Sequence, residues 1–248
     1  MELTDRVVII TGGGRGIGAA TARLIAAKGG KVVIGDMLEA EGEATAAAIR
    51  AAGGDAVFVC TDISKAAECA RLAAAAAERY RNLDVLICCA AILQGATLQA
   101  EALEDAVFER VLGINLKGTL LTVKAALPYL RKAAKGVILL MGSEAGTKIP
   151  SSSLAYGASK GGVHGLAMTL EAQLAPHGIR VNEICPSSIA TPMRIENLVD
   201  RARAAGRDPE QARTEAIREA GDPTGIANIL AFLASRDADY VRGTIYTR

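Results

Sequence analysis

Arg6-Val7-Val8-Ile9-Ile10-Thr11-Gly12-Gly13-Gly14-Arg15-Gly16-Ile17-Gly18 decides the reading of this 248-residue chain. The first half is a β-branched apolar run, the pattern of a strand buried on both faces. The second half is a glycine turn, and an alanine-rich amphipathic segment follows at once through about Lys28. Strand, glycine turn and helix in that order make a phosphate cradle. Glycines let the backbone turn tightly and approach a pyrophosphate, while free N–H groups at the helix start attract anions. A glycine-rich run alone is a weak signal; the strand before it and the helix after it supply the confirming context.

The next strand, Lys31-Val32-Val33-Ile34-Gly35-Asp36, ends in an acid eighteen residues after Gly18. That is close to the roughly 20-residue separation of the carboxylate that accepts from a ribose 2′-hydroxyl. A carboxylate there repels a 2′-phosphate, so NAD(H) is favoured over NADP(H). Arg15 works against this preference, since a cation in the turn could serve a 2′-phosphate. It could equally pair with the pyrophosphate or face solvent.

Outward from this unit, apolar runs and helix-length segments alternate. Helices are expected over about Glu39 to Ala52 and Ser64 to Tyr80, with strands at Ala56 to Cys60 and Leu83 to Ala90. Helical segments over Leu103 to Ala134 precede a strand at Gly136 to Gly142, and a helix from about Ala155 to Ala175 precedes a strand at Ile179 to Cys185. Helical segments from Ile195 to Ala220, a helix from about Thr224 to Ala234 and a short strand at Thr244 to Thr247 complete the series. Continuous apolar strands between helices predict an α/β fold: a Rossmann-like, doubly wound parallel sheet of about seven strands with helices on both faces. No linker-like shift or solenoid repeat divides residues 1–248, so one domain is expected. Residues 187–222, rich in charge and punctuated by proline, follow a strand's carboxyl end, where ligands of such sheets bind. They are read as a substrate lid.

Half of the residues are hydrophobic and only 3% aromatic, so the core is built from Ala, Val, Ile and Leu. A net charge of +1 gives no basis for a nucleic-acid partner. No run approaches the ~18 apolar residues of a membrane span, and the first strand leaves no room for a signal peptide, so a cytoplasmic location without membrane association is expected. The five cysteines show no metal-type spacing with His164 and His177; buried free thiols and no metal site are expected.

Tyr156 and Lys160 lie four residues apart on a predicted helix, with Ser143 at the end of the preceding apolar run. Positions four apart share a helix face, so phenol and ammonium can meet over one point in a cleft. A phenol titrates near ~10, and a cation held beside it favours the phenolate.

With these motifs in place, the whole chain resembles a short-chain dehydrogenase/reductase of the common type near 250 residues. The resemblance runs through Thr11 to Gly18, Asp62, Asn115 in Gly113-Ile114-Asn115-Leu116-Lys117-Gly118, Ser143, Tyr156, Lys160, and Cys185-Pro186 to Thr191-Pro192-Met193. It implies that Tyr156 exchanges the proton of the substrate oxygen and that Ser143 holds that oxygen. Lys160 would bind the nicotinamide ribose and lower the tyrosine pKa, and Asn115 would position a water that relays protons to Lys160. It further implies that Gly12, Gly14, Arg15, Gly16, Ile17, Gly18, Asp36, Asp62, Ile63, Ala90, Ala91, Pro186, Ile189 and Thr191 face the dinucleotide together with Tyr156 and Lys160. Taken singly, Asn115, Asp62 and Thr191 also read as helix caps and Ser143 as a turn residue.

Three departures from the family pattern stand out. Cys88-Cys89-Ala90-Ala91 replaces the usual Asn-Asn-Ala-Gly, Ser187 replaces the usual glycine after Pro186, and the last residues, Thr244 to Arg248, lack the Asp-Gly-Gly that often follows. The activity implied is interconversion of a secondary alcohol and a ketone with NAD(H). The alternatives are an NADP(H)-dependent 3-oxoacyl thioester reductase and a catalytically silent dinucleotide-binding protein. Small-molecule alcohol or ketone is the expected partner, together with self-association into a tetramer or dimer through the small residues of Gly157 to Ala167.

Overall fold

Val7–Thr11 forms β1 with all five residues buried, as a β-branched run covered on both faces requires. The computed structural model describes residues 3–247. Along them lie β1, α1 (Gly16–Ala27), β2 (Lys31–Asp36), α2 (Glu39–Ala51), β3 (Asp55–Cys60), α3 (Ala66–Tyr80) and β4 (Val85–Cys88). There follow α4 (Asp105–Leu112), α5 (Thr119–Leu130), β5 (Val137–Met141), α6 (Leu154–Leu174) and β6 (Arg180–Cys185). The helices α7 (Pro192–Ala204), α8 (Pro209–Glu219) and α9 (Pro223–Ala234) and the strand β7 (Gly243–Tyr246) complete the series.

The seven strands make one parallel sheet in the order β3-β2-β1-β4-β5-β6-β7. β1 pairs with β2 on one side and β4 on the other, Val8 standing opposite both Val32 and Val85. Strand order reverses here, and the crevice beyond the carboxyl ends of β1 and β4 is where such sheets bind ligands. Alternate side chains serve two cores. Val8 and Ile10 pack with Ile25, Ile49, Ile226 and Leu230 from α1, α2 and α9. Val7 and Ile9 pack with Leu72, Val123, Val163 and Leu170 from α3, α5 and α6. Each fully buried Ile or Leu contributes about 1.5–3 kcal/mol relative to exposure.

The structure departs from the sequence expectations in four places. β4 ends at Cys88, because the next residues bend over the glycine turn: a Cβ on Gly12 would lie 2.7 Å from the Ala90 backbone. The helical stretch after residue 103 is interrupted by a π-helical turn at Gly113–Gly118. Pro192 and Pro209, which punctuate the expected lid, each open a helix, after Thr191 and Asp208 as caps, so α7 begins three residues before the expected Ile195. Finally, Cys60 is exposed, whereas Cys69, Cys88 and Cys185 are buried free thiols.

Candidate active site

The glycine turn is held by backbone contact. Gly12 adopts φ +68 directly beneath Ala90, and a Cβ on Gly18 would stand 2.1 Å from the Gly12 carbonyl oxygen, so α1 starts hard against the end of β1. No side chain caps α1, whose first N–H groups remain available to an anion. Asp36 closes the turn from β2. Its Oδ2 accepts from the Gly14 N–H at 2.9 Å and its Oδ1 from the Leu38 N–H at 3.1 Å, leaving a lone pair on each oxygen. Asp62, on the loop after β3, accepts from both the N–H and the hydroxyl of Ser64. It thus turns the loop rather than capping α3. Burial pushes its pKa up, but the two bonds from Ser64 and the nearby Lys65 outweigh this and hold it below the usual carboxylate value.

Cys88 and Cys89 leave a polar gap under the turn. Thr11 stands opposite Cys88 in the β1–β4 register, and its buried hydroxyl has no hydrogen-bond partner. Cys89 holds the strand end only through its N–H, which donates to the Thr11 carbonyl at 3.1 Å.

Ser153 caps α6, accepting from the Tyr156 N–H at 3.1 Å and donating its hydroxyl to the Gln94 carbonyl at 2.6 Å. Sequence reading missed Ser153, although a serine three residues before the phenol is an N-cap signal. Ser143 stands near enough to the Tyr156 phenol to pull its pKa down. Lys160 Nζ lies 5.5 Å from the Tyr156 ring centroid and donates to the Met141 carbonyl at 2.7 Å, at the end of β5. The structure thus brings Ser143, Tyr156 and Lys160 together.

The electrostatics differ from the expectation. Burial pushes the Tyr156 pKa up to about 12, with Ser143 pulling it down only in part, and Lys160 is not among the groups that shift it. Burial likewise brings Lys160 down to about 8, against the opposing influence of Cys89 and Glu183. With Nζ turned to the Met141 carbonyl, desolvation of both groups outweighs their mutual effect.

Asn115 lies in the π-helical turn but does not reach Lys160 directly. Its amide exchanges two hydrogen bonds with the Ile92 backbone, at 2.8 and 2.9 Å, and donates to Ser159 Oγ at 3.0 Å. It braces the loop after β4 against α6. Thr191 caps α7 and packs on Gly16, whose added Cβ would meet Thr191 Cγ2 at 3.4 Å. Arg15 pairs with Glu196 of α7 at 3.1 Å. That partner lies 181 residues away and was not among those considered from the sequence.

Most of the predicted site residues border one cavity of about 470 Å³. Asp36, Asp62 and Ile63 line one end, Gly12, Arg15, Gly16, Ile17, Gly18, Ala90 and Ala91 its middle, and Ser143, Tyr156, Lys160, Pro186, Ile189 and Thr191 the other. A bare glycine turn at an uncapped helix start, between a carboxylate with spare lone pairs and a lysine–phenol pair, fits a dinucleotide. Gly14 stands behind this wall, against Asp36 and Gly42. Asn115 is buried behind Ile92.

A family model described as short chain dehydrogenase matches residues 6–202. The chain belongs to the short-chain dehydrogenase/reductase family. It is 38% identical over 242 residues to a cis-4-hydroxycyclohexanecarboxylate dehydrogenase of Sinomonas cyclohexanicum, covering 97% of this chain and 94% of the relative. It is 34% identical over 242 residues to the 2,5-dichloro-2,5-cyclohexadiene-1,4-diol dehydrogenase LinX of Sphingobium indicum, covering 98% and 94%. The crystal structure of levodione reductase superposes with a TM-score of 0.90 at 32% identity, covering 99% of this chain and 96% of that one. Membership makes the protein an oxidoreductase and implies a nicotinamide dinucleotide. Among the described residues no helix is long and apolar enough to cross a membrane, and no cluster of metal-ligating side chains occurs.

Proposed function

We propose that this short-chain dehydrogenase/reductase interconverts a secondary alcohol on a six-membered carbocycle and the corresponding ketone, using NAD(H). The observation that carries the reading is that Ser143, Tyr156 and Lys160 line the same cavity as Asp36, with Lys160 Nζ 5.5 Å from the Tyr156 ring centroid. The substrate class follows from the ring alcohols named for the two relatives above, and from the apolar side chains of Leu93, Ile189, Met193 and Leu198 in the cavity wall. The cofactor preference rests on Asp36, whose spare lone pairs suit two ribose hydroxyls and whose charge opposes a 2′-phosphate.

The nicotinamide ring, when bound, supplies the hydride acceptor or donor. Ser143 then holds the substrate oxygen, and Tyr156 takes its proton during oxidation or returns one during reduction. Lys160 holds the nicotinamide ribose. Asn115 fixes the loop at Ile92 beneath the ring. Residues 187–222 act as a lid over the substrate within a single catalytic domain, tied to the cofactor turn by Thr191 on Gly16 and by Arg15–Glu196. Self-association is part of this reading, through the face of α6 where a Cβ on Gly165 would meet nothing and Met168 is exposed. Light scattering that returns a monomer at micromolar concentration removes that element.

Steady-state assays over cyclic and acyclic secondary alcohols with both dinucleotides test the assignment. Tyr156→Phe is expected to lose at least roughly a hundredfold in turnover, the span of a general acid–base step, while still binding NADH in a fluorescence titration. Wild-type turnover in that variant would sink the mechanism. A uniform preference for acyclic substrates would sink the substrate class.

A further inference from the structure

Beneath the catalytic strand ends lies a buried carboxylate with no task in the chemistry above. Glu183 belongs to β6, and its side chain is wholly buried. Its Oε2 accepts from Nδ1 of His164 at 2.6 Å and from the Thr244 hydroxyl at 2.9 Å. Its Oε1 has no hydrogen bond of normal geometry, with the Cys185 thiol beside it. That free oxygen lies against Gly142, where a Cβ would stand 2.2 Å from it. Gly142 joins Met141, whose carbonyl holds Lys160, to Ser143, which stands beside Tyr156.

A carboxylate buried with an unused oxygen is costly unless a charge answers it. Tyr156, Lys160 and His164 recur every four residues along α6 and so form one stripe on the helix. The groups facing Lys160 from β4 and β6 are the thiols of Cys88, Cys89 and Cys185, all pushed up by burial, Cys89 and Cys185 to about 12. They are therefore uncharged near neutral pH. β5 contributes the Met141 carbonyl and the bare Gly142, and β7 the Thr244 hydroxyl. The carboxylate among the groups that act on Lys160 is Glu183.

We propose that Glu183, held by His164 and Thr244, is a positioning residue: the buried counter-charge that keeps Lys160 an ammonium beside Tyr156. The inference rests on the role given to Lys160 above and adds what sustains it. The competing explanation is mechanical, with His164–Glu183 merely pinning α6 to the sheet.

Glu183→Gln separates the two, because the amide keeps the shape and an acceptor for His164 or Thr244 while removing the charge. The full chain labelled with ¹⁵N-lysine is titrated by NMR, the Lys160 signal being assigned by its loss in Lys160→Arg. Removing the counter-charge lowers the Lys160 midpoint by roughly half to one pH unit, and the alkaline limb of kcat/KM moves down with it. A mechanical pin lowers the melting temperature and leaves both titrations in place, which overturns the proposal. If the amide variant does not fold, Glu183→Asp keeps the charge but draws it back from Gly142 by one methylene, so the Lys160 midpoint falls, by less than loss of the whole charge would lower it. An unmoved midpoint there overturns the proposal equally. The titration needs neither substrate nor turnover, so its failure is distinct from failure of the Tyr156→Phe test.

Discussion

Asp36→Ala probes the cofactor seat through two separable effects. The first is on stability. The Gly14 N–H that donates to Oδ2 at 2.9 Å is buried and loses its acceptor, a loss of about 1–3 kcal/mol. The Leu38 N–H is only partly buried and is taken up by water. Unfolding free energy is therefore expected to fall by about 2 kcal/mol. The second effect is on selectivity. Hydrogen bonds to a charged acceptor contribute about 1.5–3 kcal/mol each, so losing the ribose contacts raises KM for NAD(H) by about a hundredfold. For NADP(H) the sign reverses: two unit charges about 4 Å apart near a protein surface repel by about 4 kcal/mol, and that repulsion is removed. The ratio of kcat/KM for NAD(H) to that for NADP(H) should fall by about five orders of magnitude, two from the lost ribose contacts and three from the relieved repulsion. Initial rates with each dinucleotide at saturating substrate measure it, and urea unfolding measures the stability loss separately. A stability loss with a ratio that moves less than about fivefold (about 1 kcal/mol) would show that Asp36 only braces the turn. The NAD(H) assignment would then be wrong.

Two further outcomes follow from buried groups that the fold leaves ill at ease. Lys160→Met should abolish turnover and flatten the pH dependence of stability between about 8 and 10.5, because burial holds the lysine near 8 rather than 10.5; a variant that keeps that dependence in denaturant titration refutes this. In the parent, the unfolded chain binds the extra proton at Lys160 between about pH 8 and 10.5, so stability climbs with pH across that window. Tyr156 acts oppositely, since the folded form keeps its proton up to about 12, and stability falls with pH from about 10 to 12. Thr11→Val, which deletes the unpartnered hydroxyl opposite Cys88, should stabilise the fold by about 1 kcal/mol. A thermal melt with no gain would mean that this hydroxyl has a partner in solution.

The residues from Arg6 to Gly18 carried the fold, because a strand buried on both faces must be apolar throughout and a backbone touching backbone must lack side chains. The same local logic located the start of α7 three residues late, since proline reads equally as a break or as a first turn. It overextended β4, whose end is set by Ala90 lying on Gly12 rather than by its own hydrophobicity. The trio of Ser143, Tyr156 and Lys160 was legible from spacing and residue type. The brace between Asn115 and Ile92 and the pairing of Arg15 with Glu196 were not, because each joins elements that only the folded chain brings together.

What the sequence determined by itself is therefore the class of fold, the family and the candidate trio of Ser143, Tyr156 and Lys160, all written in local pattern and chemical type. Tertiary structure decided how those side chains are charged. Whether a lysine lowers a neighbouring phenol depends on how much water each has lost, and here burial outweighs the pairing and drives Tyr156 up and Lys160 down. Desolvation belongs to the packed molecule, so only the arrangement of β4, β5, β6 and α6 around the pair could set it.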